Sequence, residues 1–194
     1  MTVPDKLLGV VLCGGESRRM GRDKGLLETD GVPWAIRMGA KLTPWSIAVV
    51  YSINTKQQAT YPAILPPELL ITDTLGIPGP LDGLFSIHTR YPGKDLLLLA
   101  CDMQDLDEAT IGRLVGIYRD KHREENAPSF YVYQDNGFLQ PFCGIYTATG
   151  LAPMVRLARA GTLSDFSLQS LLKSGGTMAL PVTDHRSFRN YNTP

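Results

Sequence analysis

The stretch Leu7-Leu8-Gly9-Val10-Val11-Leu12, running directly into Cys13-Gly14-Gly15-Glu16-Ser17-Arg18-Arg19-Met20-Gly21-Arg22-Asp23-Lys24, decides how the rest of the sequence is read. Six residues without a polar side chain have the length and character of a strand buried on both faces, and the glycine pair releases the backbone into a loop. Strands that lack polar alternation belong to parallel sheets covered by helices on both sides. The same signature returns at Ile47 to Tyr51, at Leu69-Leu70-Ile71 and at Asp95-Leu96-Leu97-Leu98-Leu99-Ala100. Between these runs, Trp34, Met38 and Leu42 recur at helical spacing and predict a helix from Pro33 to Lys41. A second helix is expected over Leu84 to Tyr91, and a third over Asp107 to Lys121 behind an Asp cap. Gly76, Pro78, Gly79, Pro80 and Gly83 read as one long irregular connection. The class is therefore α/β, a doubly wound, mostly parallel sheet of Rossmann-like type.

The second half reads differently. Ser129 to Tyr133 and Phe138 to Tyr146 look like strands around Asp135-Asn136-Gly137, an Asn-Gly hairpin turn, and so add a small antiparallel element. Leu151 to Arg159 and Ser167 to Lys173 look helical, while Met178 to Val182 and Phe188 to Tyr191 look extended. With no internal repeat, low-complexity tract or clear linker, residues 1–194 read as a single domain.

Nineteen Lys plus Arg balance nineteen Asp plus Glu, so no global field draws the chain to nucleic acid or to an anionic membrane, and anion recognition has to be local. The longest apolar runs fall far short of the roughly 20 residues that span a bilayer, and a cytoplasmic location is expected. Cys13, Cys101 and Cys143 are odd in number and far apart, which suits small buried thiols better than a disulfide framework or a CxxC metal site.

The loop after the first strand combines glycines with Arg18, Arg19, Arg22 and Lys24. Glycines let backbone N–H groups approach phosphates without an intervening side chain, and Arg19 and Lys24 add full positive charge. The order of residues is neither GxxxxGK[ST] nor GxGxxG, which disfavours kinase-like and dinucleotide-binding readings. In open α/β sheets ligands bind beyond the carboxyl ends of the strands, where this loop stands. Asp102 directly follows the apolar run ending at Ala100 and is expected at the same edge, where a carboxylate suits Mg²⁺.

These residues carry a resemblance. Leu12-x-Gly14-Gly15-x-Ser17-x-Arg19-Met20-Gly21-x-Asp23-Lys24 resembles the signature of the molybdenum cofactor nucleotidyltransferases. Further segments fall in that family's order: Asp73 with Gly79-Pro80-Leu81-Asp82-Gly83, then Cys101-Asp102-Met103, Gln140-Pro141 with Gly144-Ile145-Tyr146, and Asn190-Tyr191-Asn192-Thr193-Pro194. The resemblance implies a nucleotidyltransferase fold with GTP and Mg²⁺ at the first loop, where the terminal phosphate of molybdopterin attacks the α-phosphate of GTP and pyrophosphate leaves. It implies backbone contacts to nucleotide from Leu12, Cys13, Gly14 and Gly15, phosphate contacts from Lys24 and Arg19, and nucleoside contacts from Asp73 and the Gly79 to Gly83 segment. It also implies Asp102 as metal ligand and leaves room for a protein that delivers the pterin. Lys24, Arg19 and Asp102 are the expected catalytic groups. Ser52 stands where the family often has a nucleotide-contacting Asn, Cys13 where Ala is common, and Asp82 where a small residue is usual.

Cytidine-using relatives tend to carry Leu-Ala-Ala-Gly where this chain has Leu12-Cys13-Gly14-Gly15. Removal of a methyl group at Gly14 makes room for a purine and favours guanine, an effect of about 1 to 3 kcal/mol. A cytidylyltransferase, a sugar-phosphate nucleotidyltransferase and a non-catalytic nucleotide-binding or cofactor-handling partner are the alternatives. His88, His122 and His185 need no catalytic role, and His185 is expected at the surface or supporting a neighbour.

Overall fold

The computed structural model describes residues 6–14 and 23–191. The first strand, β1 (Leu7–Leu12), is an interior strand of a seven-stranded sheet. A two-stranded antiparallel ribbon, β2 (Glu28–Thr29) with β3 (Val32–Pro33), precedes helix α1 (Trp34–Ala40). The chain then adds β4 (Val49–Ile53) and β5 (Leu70–Thr72) in parallel on one side of β1. Helix α2 (Pro80–Arg90) carries it back across the sheet to β6 (Asp95–Ala100), parallel to β1 on the other side. Helix α3 (Glu108–Lys121) leads to the hairpin β7 (Phe130–Asp135) and β8 (Phe138–Tyr146). Helices α4 (Ala148–Arg159) and α5 (Leu168–Ser174) and strand β9 (Thr177–Pro181) follow, and the sheet order is β5-β4-β1-β6-β8-β7-β9.

Most strand pairs are parallel, as expected; β8 is antiparallel to both β6 and β7, and β9 runs parallel to β7. The expected hairpin is present, with Asn136 and Gly137 both at positive φ, the conformation that this dipeptide tolerates. It is built into the main sheet rather than set beside it.

Both faces of the central strands are covered. Val11, Leu97 and Leu99 pack with α1 and α3, while Val10, Leu96 and Leu98 pack with α2, α4 and α5. All six are buried, each worth about 1.5 to 3 kcal/mol relative to exposure. That two-sided burial is why the strands lack polar alternation.

Two expectations need correction. The Gly76 to Gly83 stretch is not irregular throughout, because α2 begins at Pro80; proline fits the first helical turn, where its missing N–H costs nothing. Phe188 to Tyr191 is not a strand: residues His185–Phe188 form a 3-10 turn, and Tyr191 donates its backbone N–H to the Asp102 carbonyl at 3.0 Å. Asp107 does cap α3, accepting from the Thr110 N–H at 2.6 Å, and the three cysteines are free and buried.

Candidate active site

The chain moves outward from β1 through β4 to β5 and then returns to the opposite side of β1. This makes β1 the switch point, the place where an open α/β sheet leaves a crevice at its carboxyl edge. Leu12 pairs in register with Ser52 on one side and Ala100 on the other, so the residues that follow these three strands share that edge. Asp73, Ser52, Cys13, Gly14, Cys101 and Asp102 are brought together there. Gly15 and Arg19 lie outside the described residues, as does Asn192.

Lys24 and Asp102 meet across the switch point, with Lys24 Nζ 2.7 Å from Asp102 Oδ2 and both side chains about four-fifths buried. Seventy-eight positions of sequence separate them. Lys24 opens a short 3-10 turn capped by Asp23, which accepts the Gly25 N–H at 3.0 Å. Asp23 is itself held: Tyr61 donates its hydroxyl at 2.9 Å, and Gln57 Nε2 donates both to Asp23 and to the Cys13 carbonyl, the latter at 3.0 Å. One buried glutamine amide thus ties the residue before Lys24 to the end of β1. Sequence reasoning missed Gln57 and Tyr61. The spacing of Asn54 and Gln57 is that of a capping box, which the structure contains, but a capping box signals a helix start and says nothing of a contact to Cys13.

The Cys13 N–H donates to the Ser52 carbonyl at 3.0 Å and the Gly14 N–H to the same oxygen at 3.3 Å. These two amides are therefore engaged with β4. Burial raises the Cys13 thiol well above its ordinary range, with the Cys101 charge adding to the shift. It likewise pushes Cys101 up to about 12. Neither thiol is set up as a nucleophile at neutral pH.

On the other flank, Ser52 is buried and donates its hydroxyl to Asp73 Oδ1 at 3.0 Å. Ser52 therefore acts on Asp73, and Asn54 serves as the cap of the next turn. Burial raises the Asp73 carboxyl to about 6, the Ser52 hydrogen bond opposes the shift, and the Asp82 charge adds to it. Gly14 lies beside this group: a Cβ there would stand 3.5 Å from Asp73 Oδ2, an ordinary contact. Gly83 is far tighter, because a Cβ would fall 2.2 Å from Ser52 Oγ. That glycine serves the approach of α2 to the sheet. Gly79 has φ +78 and precedes Pro80 at the start of α2.

The Asp82 carboxylate, which stands where the family usually has a small residue, turns into the backbone. It accepts from the N–H groups of Thr74, Leu75, Gly76 and Ile77 at 2.8 to 3.2 Å.

The C-terminal segment closes the far side. Tyr191 lies edge-on to Trp34 and donates its hydroxyl to Asp105 at 2.6 Å. Gln104 links Arg37 on α1 to the Cys101 carbonyl. His185 is exposed beside Asp135, as expected of a surface residue.

The sheet order, with its switch point at β1, is that of the α/β nucleotidyltransferase fold. Within that fold the match is specific: the family described as MobA-like NTP transferase domain covers residues 9–178, and the chain belongs to it. The chain is 29% identical over 187 residues to a probable molybdenum cofactor guanylyltransferase of Methanothermobacter thermautotrophicus, covering 95% of this chain and 93% of that one. It is 30% identical over 155 residues to a molybdenum cofactor biosynthesis bifunctional protein of Synechocystis, where the match covers 80% of this chain but only 43% of the relative. The fold is shared with the crystal structure of molybdopterin-guanine dinucleotide biosynthesis protein A from Archaeoglobus fulgidus, at TM-score 0.74, 19% identity and coverage of 96% and 92%.

Proposed function

We propose that the protein transfers GMP from GTP to the terminal phosphate of molybdopterin, releasing pyrophosphate, and that residues 1–194 act as one nucleotidyltransferase domain. The observation that carries this reading is the Lys24–Asp102 pair at the switch point, in a chain whose relatives are named molybdenum cofactor guanylyltransferases.

Asp102 fits Mg²⁺. It offers hard carboxylate oxygens at the strand end, and Mg²⁺ sites commonly use one or two carboxylates with substrate phosphates and water completing the shell. When bound, the ion supplies charge neutralisation and orientation of the triphosphate. Lys24 exchanges its carboxylate partner for phosphate oxygens and opposes the charge that develops on the leaving pyrophosphate. Arg19 is the further phosphate contact in this reading, and Gly15 the amide that follows Gly14 in the loop. Asp73, with Ser52 behind it, faces the nucleoside, and Gly79 lies on the base side. An oxygen of the pterin phosphate forms the new P–O bond to the α-phosphorus, while the bond to the β-phosphate breaks and pyrophosphate takes its electron pair. The nucleophile is already ionised near neutral pH, so no general base is required and positioning supplies much of the rate.

Gly14 beside Asp73 supports guanine over cytosine, because space that an alanine methyl would fill stays open to the larger base. We further propose a cytoplasmic location and, as a further partner, a protein that delivers the pterin. The test is magnesium-dependent pyrophosphate release and dinucleotide formation with molybdopterin and GTP, CTP, ATP or UTP. GTP-selective product is expected. CTP-selective product would overturn the base assignment alone, and no product with any nucleotide would overturn the transferase reading.

A further inference from the structure

Four consecutive backbone amides converge on one side chain at the start of α2. Asp82 Oδ1 accepts from Thr74 and Leu75 at 3.1 and 3.0 Å, and Oδ2 from Gly76 and Ile77 at 2.8 and 3.2 Å. The Ser86 hydroxyl, one helical turn further on, donates to Asp82 Oδ1 at 3.1 Å and accepts from the Thr74 N–H at 2.8 Å. Successive N–H groups curled in this way form an anion-binding nest, and Gly76 at φ +70 gives the curl its left-handed residue. Here the anion is the protein's own carboxylate, and it sits in the first turn of α2, where the helix dipole favours negative charge.

The position of this knot gives it a consequence. Residues 74–77 connect Asp73 to Gly79, the two base-side groups of the proposed nucleotide site, and Asp73 is anchored on its other side by its N–H to the Ile53 carbonyl at 2.9 Å. We propose that Asp82 is a positioning residue for the nucleotide: by fastening the 74–77 turn to α2 it holds Asp73 and Gly79 in place before the nucleotide arrives. Ordering a turn on binding draws on binding free energy, and a turn already tied down does not. This inference rests on the guanylyltransferase reading. It also explains how a carboxylate occurs where a neutral small residue is usual: its charge is directed away from the ligand and neutralised by backbone dipoles.

The test uses the full chain with Asp82→Ala and, as a milder variant, Ser86→Ala. Amide hydrogen exchange at residues 74–77 is followed beside that of β1 and β6, and GTP affinity is measured by titration calorimetry with magnesium. Steady-state KM and kcat complete the comparison. D82A is expected to accelerate exchange at 74–77 while β1 and β6 stay protected, and to raise the Kd and KM for GTP by about tenfold. Its kcat at saturating GTP should stay within about twofold of the parent, a split that general destabilisation does not produce. S86A should shift the same quantities in the same direction by a smaller factor, and keeps the test decisive if D82A does not fold. Unchanged GTP affinity in a variant whose 74–77 amides exchange faster, or a fall in kcat without a rise in KM, would overturn the inference and leave the guanylyltransferase reading standing. Failure of the parent protein itself to bind GTP would overturn both.

Discussion

The two flanks of the carboxyl sheet edge are built from the same kinds of residue in opposite ways. On the β1/β6 side, Lys24 and Asp102 pair with each other at 2.7 Å, a contact that a triphosphate and its counter-ion would have to exchange. On the β4/β5/α2 side, Asp82 is tied to four backbone amides and Asp73 to Ser52, contacts that can stay in place when a nucleoside arrives. The Lys24 and Asp102 charges are paired side chain to side chain at the sheet edge. Charges that must hold a shape are given to backbone N–H groups, which cost little further entropy once the turn is formed.

The contrast can be broken or sharpened by substitution. Replacing Asp102 by Asn should have the largest effect, lowering kcat on the order of a hundredfold or more while the thermal unfolding midpoint stays near that of the parent; turnover at the parent rate would remove Asp102 from the chemistry. Lys24→Ala should weaken triphosphate binding about tenfold to a hundredfold, read as a rise in the GTP Kd, since one charge-assisted contact is worth about 1.5 to 3 kcal/mol. Equal affinity for GTP and GMP losses would show that Lys24 does not touch the outer phosphates.

The opposite flank should answer first in stability. Gly83→Ala places a methyl 2.2 Å from Ser52 Oγ and 3.2 Å from Asp73 Oδ1, so the buried hydroxyl has to move off Asp73. A cost of about 1 to 3 kcal/mol in urea unfolding is expected; a neutral result would mean that α2 is free to shift.

The smallest effect belongs to Asp73→Asn and depends on pH. Burial raises the Asp73 carboxyl to about 6 in the fold, against an ordinary value of 3.8, so the folded state prefers the protonated group. Its contribution is fully present below pH 3.8 and is lost as pH rises through about 6. The stability of D73N minus that of the parent should therefore grow between pH 4 and pH 7, by about 1 kcal/mol after allowance for the partial exposure of the group. A flat difference curve would show that Asp73 is not strained by its burial.

Legibility followed the range of the interactions. The strand β6 (Asp95–Ala100) was readable to the residue, because six apolar or terminal positions in sequence state their own burial. The cap of α3 was readable for the same local reason. The start of α2 was misread, since Pro80 between glycines is equally a turn signal and a helix start until the sheet behind it is known. The expected strand at Phe188 to Tyr191 failed because its one sheet-like bond, from Tyr191 to Asp102, belongs to a segment crossing the edge rather than joining it. Among the site residues, Asp102 was visible as a charge after an apolar strand and Lys24 as a charge in the glycine-rich loop, whereas Asp73 came only from the resemblance to the family. Gln57 and Tyr61 were not visible, because a neutral side chain in a short turn carries no sign of the carboxylate it will meet more than thirty residues away.

What the sequence determined alone is the alternation of apolar strands with amphipathic helices, the glycine-rich loop after the first strand and the charges at strand ends, all set by neighbours within a few positions. Tertiary structure decided which charges face the crevice and which face the backbone. Asp82 and Asp102 are chemically identical and each lies at the boundary of an element; only the packing of α2 against residues 74–77 and of β6 against β1 makes one an anchor for backbone amides and the other the partner of Lys24.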